Sequence, residues 1–137
     1  MFRALLEGLC FEYALGLQYI NELFPDIGLS AIDGTGGGSK NALWNQMKAN
    51  VLNLTYNQLG ESQFALRGCA ILAGYSLGIY TDMEKTAGKM NAANTTTAFI
   101  PKKKDVQSYK SYFQIFKQTF TSSVDETMGK LYRAAVH

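Results

Sequence analysis

Residues 30–41 read SAIDGTGGGSKN, a stretch with four glycines in five positions. A short apolar run at residues 27–32 precedes Asp33, and an amphipathic segment follows from about Ser39. Glycine has no Cβ, so it reaches positive φ easily and lets a flat ligand approach the main chain. The N-terminus of a helix adds unpaired N–H groups and the positive end of the helix dipole. A strand, a glycine turn and a helix start in this order are a common arrangement for binding nucleotides.

The spacing of the glycines fits neither of two well-known nucleotide loops. The phosphate loop GxxxxGK[ST] needs a second glycine before its lysine and a hydroxyl after it. Counting from Gly34 gives Ser39, Lys40 and Asn41 at those places. The dinucleotide motif GxGxxG needs an acid about 20 residues later, and none occurs before Glu61. On the glycines alone, a flexible Gly/Ser connector is therefore an equal alternative to a nucleotide site.

The composition is typical of a single globular domain with a small net charge. Of the 137 residues, 47% are hydrophobic and 18% are charged, and the formal net charge is +2. This apolar content suffices for a core, and the charge gives no reason to expect a nucleic-acid partner. Cys10 and Cys69 lack metal-ligand spacing, so we expect two buried free thiols in a cytosolic protein. The single histidine, His137, is the last residue, so we expect neither catalysis nor metal binding from histidine.

No segment of the sequence predicts a membrane span or a signal peptide. The most apolar run, residues 64–80, is interrupted by Arg67 and is shorter than a helix that spans a bilayer. Residues 2–24 contain three glutamates and have no basic leader. The expected location is therefore the cytoplasm, with no membrane partner.

The hydrophobic periodicity predicts a helix-rich α/β chain with too little sheet for a complete domain. Apolar residues at three- and four-residue spacing predict helices, and short alternating or continuous apolar runs predict strands. The predicted helices cover residues 2–24, 39–51 with Ser39 as N-cap, 61–80, 81–90 with a cap at 81–82, and a long segment from Asp105; the predicted strands cover 28–32 and 52–56, and residues 91–101 are expected to be irregular. Two short strands cannot cover this many apolar helix faces, so further strands must come from a partner or from additional sequence.

The last predicted helix carries an aromatic stripe at helical spacing, formed by Tyr109, Tyr112, Phe113, Phe116 and Phe120. The stripe predicts either core packing or a surface that docks on a partner, rather than a cofactor site. The docking interpretation leads to an alternative function for the chain. In that alternative it is a non-catalytic helical module that binds a partner through this helix.

Four segments of the chain, taken in order, resemble the C-terminal part of the FGGY family of carbohydrate kinases. They read RALLEGLCF at residues 3–11, DGTGGGSKNALWNQ at 33–46, ALRGCAILAG and GIY at 65–80, and YKSYF at 109–113. They look like the family's RAxxEG(I/L)xF helix start, its GGGAKSxLWxQ nucleotide loop, its ALGAAxLAG…GxY segment and its final aromatic helix. The glycine loop with its Leu-Trp pair is most similar to that of xylulose kinases. Each segment alone is a modest match, but their order along nearly the whole chain is specific.

The resemblance implies that residues 1–137 are the helix-rich C-terminal portion of an actin-like (ribonuclease H-like) ATPase domain with an incomplete sheet. It implies phosphorylation of a sugar hydroxyl that depends on ATP and Mg²⁺, with a ketopentose such as xylulose as the expected substrate. The sugar would bind in an N-terminal domain that this chain lacks, so the isolated chain is expected to be inactive. The catalytic base and the metal ligands are expected to lie outside the chain, and a homodimer is left open.

The resemblance also implies that the adenine of ATP lies beside the glycine loop, with Gly36, Gly37, Gly38 and Asn41 as nucleotide-binding residues. Bare main chain at Gly37 and Gly38 can lie against a flat base, and the Asn41 amide can donate and accept hydrogen bonds at its edge. Asp33 is the single acid near the turn. It could face a ribose or cap the turn, and the cap is favoured. Phosphoryl transfer needs a metal site and an oriented base, and no acidic pair beside the turn supplies them.

Overall fold

The computed structural model describes residues 1–60, 63–91 and 95–135, which form helices around one small sheet. The helices are α1 (Phe2–Leu23), α2 (Ala42–Leu52), α3 (Phe64–Ser76), α4 (Met83–Asn91) and α5 (Lys103–Ala135); the strands are β1 (Ala31–Gly34), β2 (Thr55–Leu59) and β3 (Thr96–Phe99). Short 3-10 turns occur at Pro25–Ile27 and Gly37–Lys40. Across these described ranges, no helix combines the length and the apolar character that crossing a membrane requires.

The sheet has the strand order β1-β2-β3 and mixed direction. β1 and β2 pair in parallel, from Ala31 opposite Thr55 to Gly34 opposite Gln58, and β3 pairs with the other side of β2 in antiparallel fashion. Among the described residues, β1 therefore has a neighbouring strand on one side only. The N–H and C=O groups along its other side are a template for a further strand.

The core lies where α1 crosses α2. Leu6 and Cys10 of α1 are buried against Met47 of α2, and Trp44 and Val51 of the same helix pack around them. Burying side chains of this size stabilises a fold by about 1.5–3 kcal/mol each. These contacts fix α2 beneath α1, and α2 in turn follows directly from the glycine turn.

The aromatic stripe of α5 forms core packing on its inner side. The ring of Phe11 on α1 has its centroid 6.1 Å from that of Tyr109 and 6.2 Å from that of Phe113. Its centroid is 5.5 Å from that of Phe116. Tyr112 and Phe120, by contrast, are exposed. The core interpretation is thus supported for the part of the stripe that contacts Phe11, and the exposed part leaves the docking alternative open.

The three strands differ from the sequence prediction. β1 begins at Ala31 rather than at residue 28, because Pro25–Ile27 forms a 3-10 turn and Gly28 ends it in the left-handed conformation. β2 begins at Thr55 rather than at residue 52, because α2 continues to Leu52 and Asn53 then adopts φ 53°. β3 falls within a stretch that was predicted to be irregular. Its exposed, threonine-rich sequence lacks the alternation that marks a half-buried strand.

The later helices confirm one predicted cap and correct another. Asp82 accepts a hydrogen bond from the Lys85 amide at 2.9 Å, as expected for the cap of α4. α5 begins at Lys103, two residues before the predicted cap at Asp105, whose carboxylate instead accepts from Asn50 Nδ2 at 3.0 Å. α3 covers Phe64–Ser76, so it ends before the predicted residue 80, where Gly78 has φ 72°. The predicted start at residue 61 lies outside the described residues.

The two cysteines occupy different environments. Cys10 is fully buried, but Cys69 is exposed on α3, so the expectation of two buried thiols is wrong for Cys69. α3 packs chiefly on α4, which leaves one side of it uncovered in the described part of the chain. Burial raises the pKa of the Cys10 thiol to about 11, although the neighbouring Trp44 and Lys48 oppose this rise.

We expect Cys69 to react with a disulfide reagent in the native chain at about pH 8, and Cys10 to react only after unfolding. The thiolate is the reactive form, and burial keeps Cys10 both protonated and inaccessible at this pH. The release of chromophore should therefore correspond to one thiol per native chain and two in guanidinium chloride. The Cys69→Ser variant should release none when native and one when unfolded. Rapid release of two thiols by the native chain would contradict the buried position of Cys10.

Candidate functional site

The glycine turn between β1 and α2 is folded back on itself. Gly36 has φ 83° and ψ −175°, a combination that is essentially restricted to glycine. The Gly36 carbonyl accepts a hydrogen bond from the Ser39 amide at 3.2 Å and another from Ser39 Oγ at 2.7 Å. Ser39 is consequently buried inside the turn. The prediction that Ser39 caps α2 is wrong, because the 3-10 turn Gly37–Lys40 comes between β1 and the helix.

Asn41 is the actual N-cap of α2. It has φ −93° and ψ 101°, and its Oδ1 accepts a hydrogen bond from the Trp44 amide at 3.2 Å. Asparagine is among the residues preferred at this position. The Asn41 side chain is exposed, and its NH₂ group has no hydrogen bond to another described residue. That NH₂ group is the donor which Asn41 can offer to a ligand.

The three consecutive glycines have different surroundings. We call residues 36–38 the glycine shelf. A Cβ built on Gly36 or Gly37 would meet no described atom within 4 Å, whereas a Cβ on Gly38 would lie 2.7 Å from Trp44 Cζ3. Gly38 is thus required by its contact with the Trp44 ring, and Gly36 by its positive φ. Gly37 is exposed and has open space outside it, so the shelf presents bare main chain at the surface.

A cavity of about 700 Å³ lies next to the glycine shelf, between α1, β1 and α2. Its volume is within the range of cavities that hold small molecules. Gly38, Ser39 and Trp44 belong to its wall, but Gly36, Gly37 and Asn41 do not. The structure therefore places the four predicted residues on one continuous turn without enclosing all of them in this cavity.

Lys48 is a buried amine in the wall of the same cavity and is only 5% exposed. Its Nζ lies 3.9 Å from the centroid of the Trp44 ring and 3.2 Å from Tyr56 Oη. The aromatic faces stabilise the charge in place of a carboxylate. Burial lowers the pKa of Lys48 and raises that of Tyr56. The sequence alone does not point to Lys48 as a buried amine, because a lysine on a helix ordinarily faces solvent.

The acidic residue before the turn has a structural role. Asp33 Oδ1 accepts a hydrogen bond from Asn57 Nδ2 at 2.9 Å, and the two residues are directly opposite on β1 and β2. Asp33 therefore bridges the two strands and does not cap the turn. Within the described ranges, no group of three or more His, Cys, Asp or Glu side chains is placed to hold a metal ion. His137 lies outside those ranges.

Comparisons with known proteins assign a family to this arrangement. The model of the FGGY family of carbohydrate kinases, C-terminal domain, matches residues 1–77. Xylulose kinase of Bacillus subtilis (strain 168) is 34% identical over 125 residues, which are 90% of this chain and 24% of the relative. Autoinducer-2 kinase of Escherichia coli (strain K12) is 33% identical over 126 residues, 91% of this chain and 24% of the relative. L-fuculokinase of the same strain is 31% identical over 90 residues, 66% of this chain and 19% of the relative.

Solved structures agree on the fold. The ligand-bound xylulose kinase from Lactobacillus acidophilus matches with a TM-score of 0.69 and 23% identity, over 94% of this chain and 25% of that chain. A gluconate kinase from the same organism gives the same values. The chain thus spans about a quarter of the length of the relatives it matches. The predicted fold is confirmed: the helix-rich C-terminal portion of an actin-like, ribonuclease H-like domain with an incomplete sheet.

Proposed function

Because this chain belongs to the FGGY family of carbohydrate kinases, we propose that it supplies the adenine side of the ATP site in a sugar kinase. The whole of residues 1–137 would then be a C-terminal domain fragment on the nucleotide-binding side. The complete enzyme would transfer a phosphoryl group from ATP to a carbohydrate hydroxyl. The observation that supports this proposal most directly is the exposed glycine shelf, which lies just before the N-terminus of α2.

The shelf has the shape and polarity that one side of a nucleotide needs. The outward side of Gly37 carries no side chain and has open space, so a flat purine ring can approach the main chain there. The NH₂ group of Asn41, one turn further on, can donate a hydrogen bond to an acceptor nitrogen of the ring. The N-terminus of α2 favours negative charge. We therefore assign Gly36, Gly37, Gly38 and Asn41 to nucleotide binding.

The chemical step is proposed to use groups from the rest of the enzyme. Phosphoryl transfer requires a divalent metal beside the phosphates and a base that orients the attacking hydroxyl. The described residues contain no acidic cluster that fits Mg²⁺, and Asp33 is already bonded to Asn57. In this proposal, the contribution of the chain is to bind and orient the adenine base of ATP. The sugar and the metal would be held by the N-terminal domain.

A ketopentose such as xylulose is the substrate that we propose. The support is the 34% identity to a xylulose kinase over 90% of the chain. Autoinducer-2 kinase and L-fuculokinase are similar at 33% and 31% identity, so the substrate has to be measured within this wider group. Sugar contacts lie outside the chain in this proposal.

The proposal is tested by sugar-dependent release of ADP from the full-length protein that contains this chain. We expect turnover with a ketopentose, and slower turnover with other ketoses, fuculose, gluconate and glycerol. The isolated chain should give only the blank rate with every sugar, because half of the cleft is absent. If the full-length protein releases no ADP with any of these substrates in the presence of Mg²⁺, the assignment as a sugar kinase is wrong.

A further inference from the structure

We propose that Asn45 is a positioning residue that holds the glycine shelf in the shape required by its ligand. The proposal rests on the nucleotide role assigned to the shelf above. Asn45 lies in the first turn of α2 and is completely buried, with 0% exposure. A buried carboxamide is costly unless its polar atoms find partners, so its contacts show what it is there to hold.

The Asn45 side chain connects the glycine turn to the central strand. Its Nδ2 donates a hydrogen bond to the Ser39 carbonyl at 2.6 Å and a second to Gln58 Oε1 of β2 at 3.2 Å. The Ser39 carbonyl can only accept, so the NH₂ side of the amide has to face it. Asn45 Oδ1 is buried and has no hydrogen-bond partner in the described structure. The fold thus leaves the oxygen unpaired while the NH₂ group donates to both Ser39 and Gln58. This arrangement indicates that the function of the side chain is to hold the Ser39 carbonyl.

These hydrogen bonds determine which main-chain groups of the turn face outward. The Gly36 carbonyl accepts from the Ser39 amide and from Ser39 Oγ, and the Ser39 carbonyl accepts from Asn45. Two carbonyl dipoles of the turn are therefore held toward the interior. The Gly36 and Ser39 carbonyl oxygens are thus occupied by hydrogen bonds within the protein and are not free to face, and repel, the phosphates of a nucleotide at the shelf. If the Asn45 contact is lost, the Ser39 carbonyl is free to rotate.

Asn50 provides a matched control on the same helix. It is also a buried asparagine, with 4% exposure. Its Nδ2 donates to Asp105 Oδ2 at 3.0 Å, and its Oδ1 accepts from the Lys102 amide at 2.9 Å and from Gln46 Nε2 at 3.0 Å. These partners lie on α2 and around the start of α5, and none of them belongs to the glycine shelf. Replacing either asparagine by aspartate removes the NH₂ donors and adds one carboxylate without changing the size of the side chain, and at position 50 the new carboxylate faces that of Asp105.

The test compares the Asn45→Asp and Asn50→Asp variants of the full-length protein that contains this chain, by hydrogen exchange followed by mass spectrometry. We expect Asn45→Asp to accelerate amide hydrogen exchange at residues 36–39 by about tenfold or more. We also expect its dissociation constant for ADP to rise about fivefold or more. Both variants should lower Tm. In Asn50→Asp, however, the exchange at these four residues and the ADP affinity should stay as in the wild type. Equal changes in both variants, or unchanged exchange in Asn45→Asp, would overturn the positioning role.

Two additions keep the test decisive. If Asn45→Asp does not fold, Asn45→Ala removes the same donors to the Ser39 carbonyl and to Gln58 without adding a buried charge, and it should accelerate exchange in the same four residues. Unchanged exchange in Asn45→Ala would then count against the proposal. If the full-length protein that contains the wild-type chain does not bind ADP, the nucleotide role of the shelf fails. The exchange comparison decides separately whether Asn45 holds the turn.

Discussion

Replacing Phe11 with alanine is expected to lower the free energy of unfolding by about 3–5 kcal/mol. The Phe11 ring is 8% exposed and is the aromatic contact of α1 with three rings of α5. Its removal leaves a cavity between two long helices and exposes the rings of Phe113 and Phe116. Urea unfolding followed by circular dichroism measures the change as a lower transition midpoint at a constant slope.

Phe2→Ala is the matched control for this prediction. Phe2 lies on the same helix and is 71% exposed, so its loss should change the stability by less than about 0.5 kcal/mol. The milder variant Phe11→Leu should lose an amount of stability between those of Phe2→Ala and Phe11→Ala. Its free energy of unfolding can still be measured if Phe11→Ala is unfolded. A loss below about 1 kcal/mol for Phe11→Ala would show that α1 and α5 are not packed together as described.

A valine at position 37 is expected to weaken ADP binding by at least about tenfold, or about 1.4 kcal/mol, while Tm stays near the wild-type value. The new side chain would meet no described atom of the protein within 4 Å. It would instead occupy the outer side of the shelf and keep a purine ring from the main chain. ADP titration by calorimetry or NMR, together with a thermal melt of the same sample, measures both quantities.

Neighbouring glycines separate the ligand effect from a folding effect. Gly36→Val should destabilise the chain by about 1–3 kcal/mol, because Gly36 has φ 83°. Gly38→Val should also destabilise it, because its Cβ would lie 2.7 Å from the Trp44 ring. Gly88→Val on α4 adds a side chain in open space away from the turn and should leave ADP binding unchanged. Unchanged ADP affinity in Gly37→Val would show that the base does not rest on the shelf.

The elements that follow from local sequence were predicted well. α1 has a regular apolar stripe, and its observed range Phe2–Leu23 agrees with the predicted one to within one residue. The cap of α4 at Asp82 needs only the local preference of aspartate for that position. β3 was missed because Thr96–Phe99 is an exposed edge strand, and its assignment depends on pairing with β2 rather than on its own pattern.

The candidate site was predictable as a turn but not as a set of contacts. The glycines and the following helix are visible in the sequence. The observed N-cap is Asn41 and not the predicted Ser39, because a 3-10 turn precedes the helix. The burial of Asn45 and Lys48 depends on Gln58 and Tyr56 of β2. Such contacts join residues that are distant in the sequence, and helical periodicity alone assigns both side chains to a solvent-facing side.

The one-sided pairing of β1 has a consequence for how this chain can associate with another polypeptide. Parallel strands are not joined by a hairpin, so the neighbour of a parallel strand can belong to a separate polypeptide. Ala31–Gly34 offers an edge of this kind within the described structure. Within the described residues, the free side of β1 is therefore a position at which a strand of another polypeptide could extend the sheet of this chain.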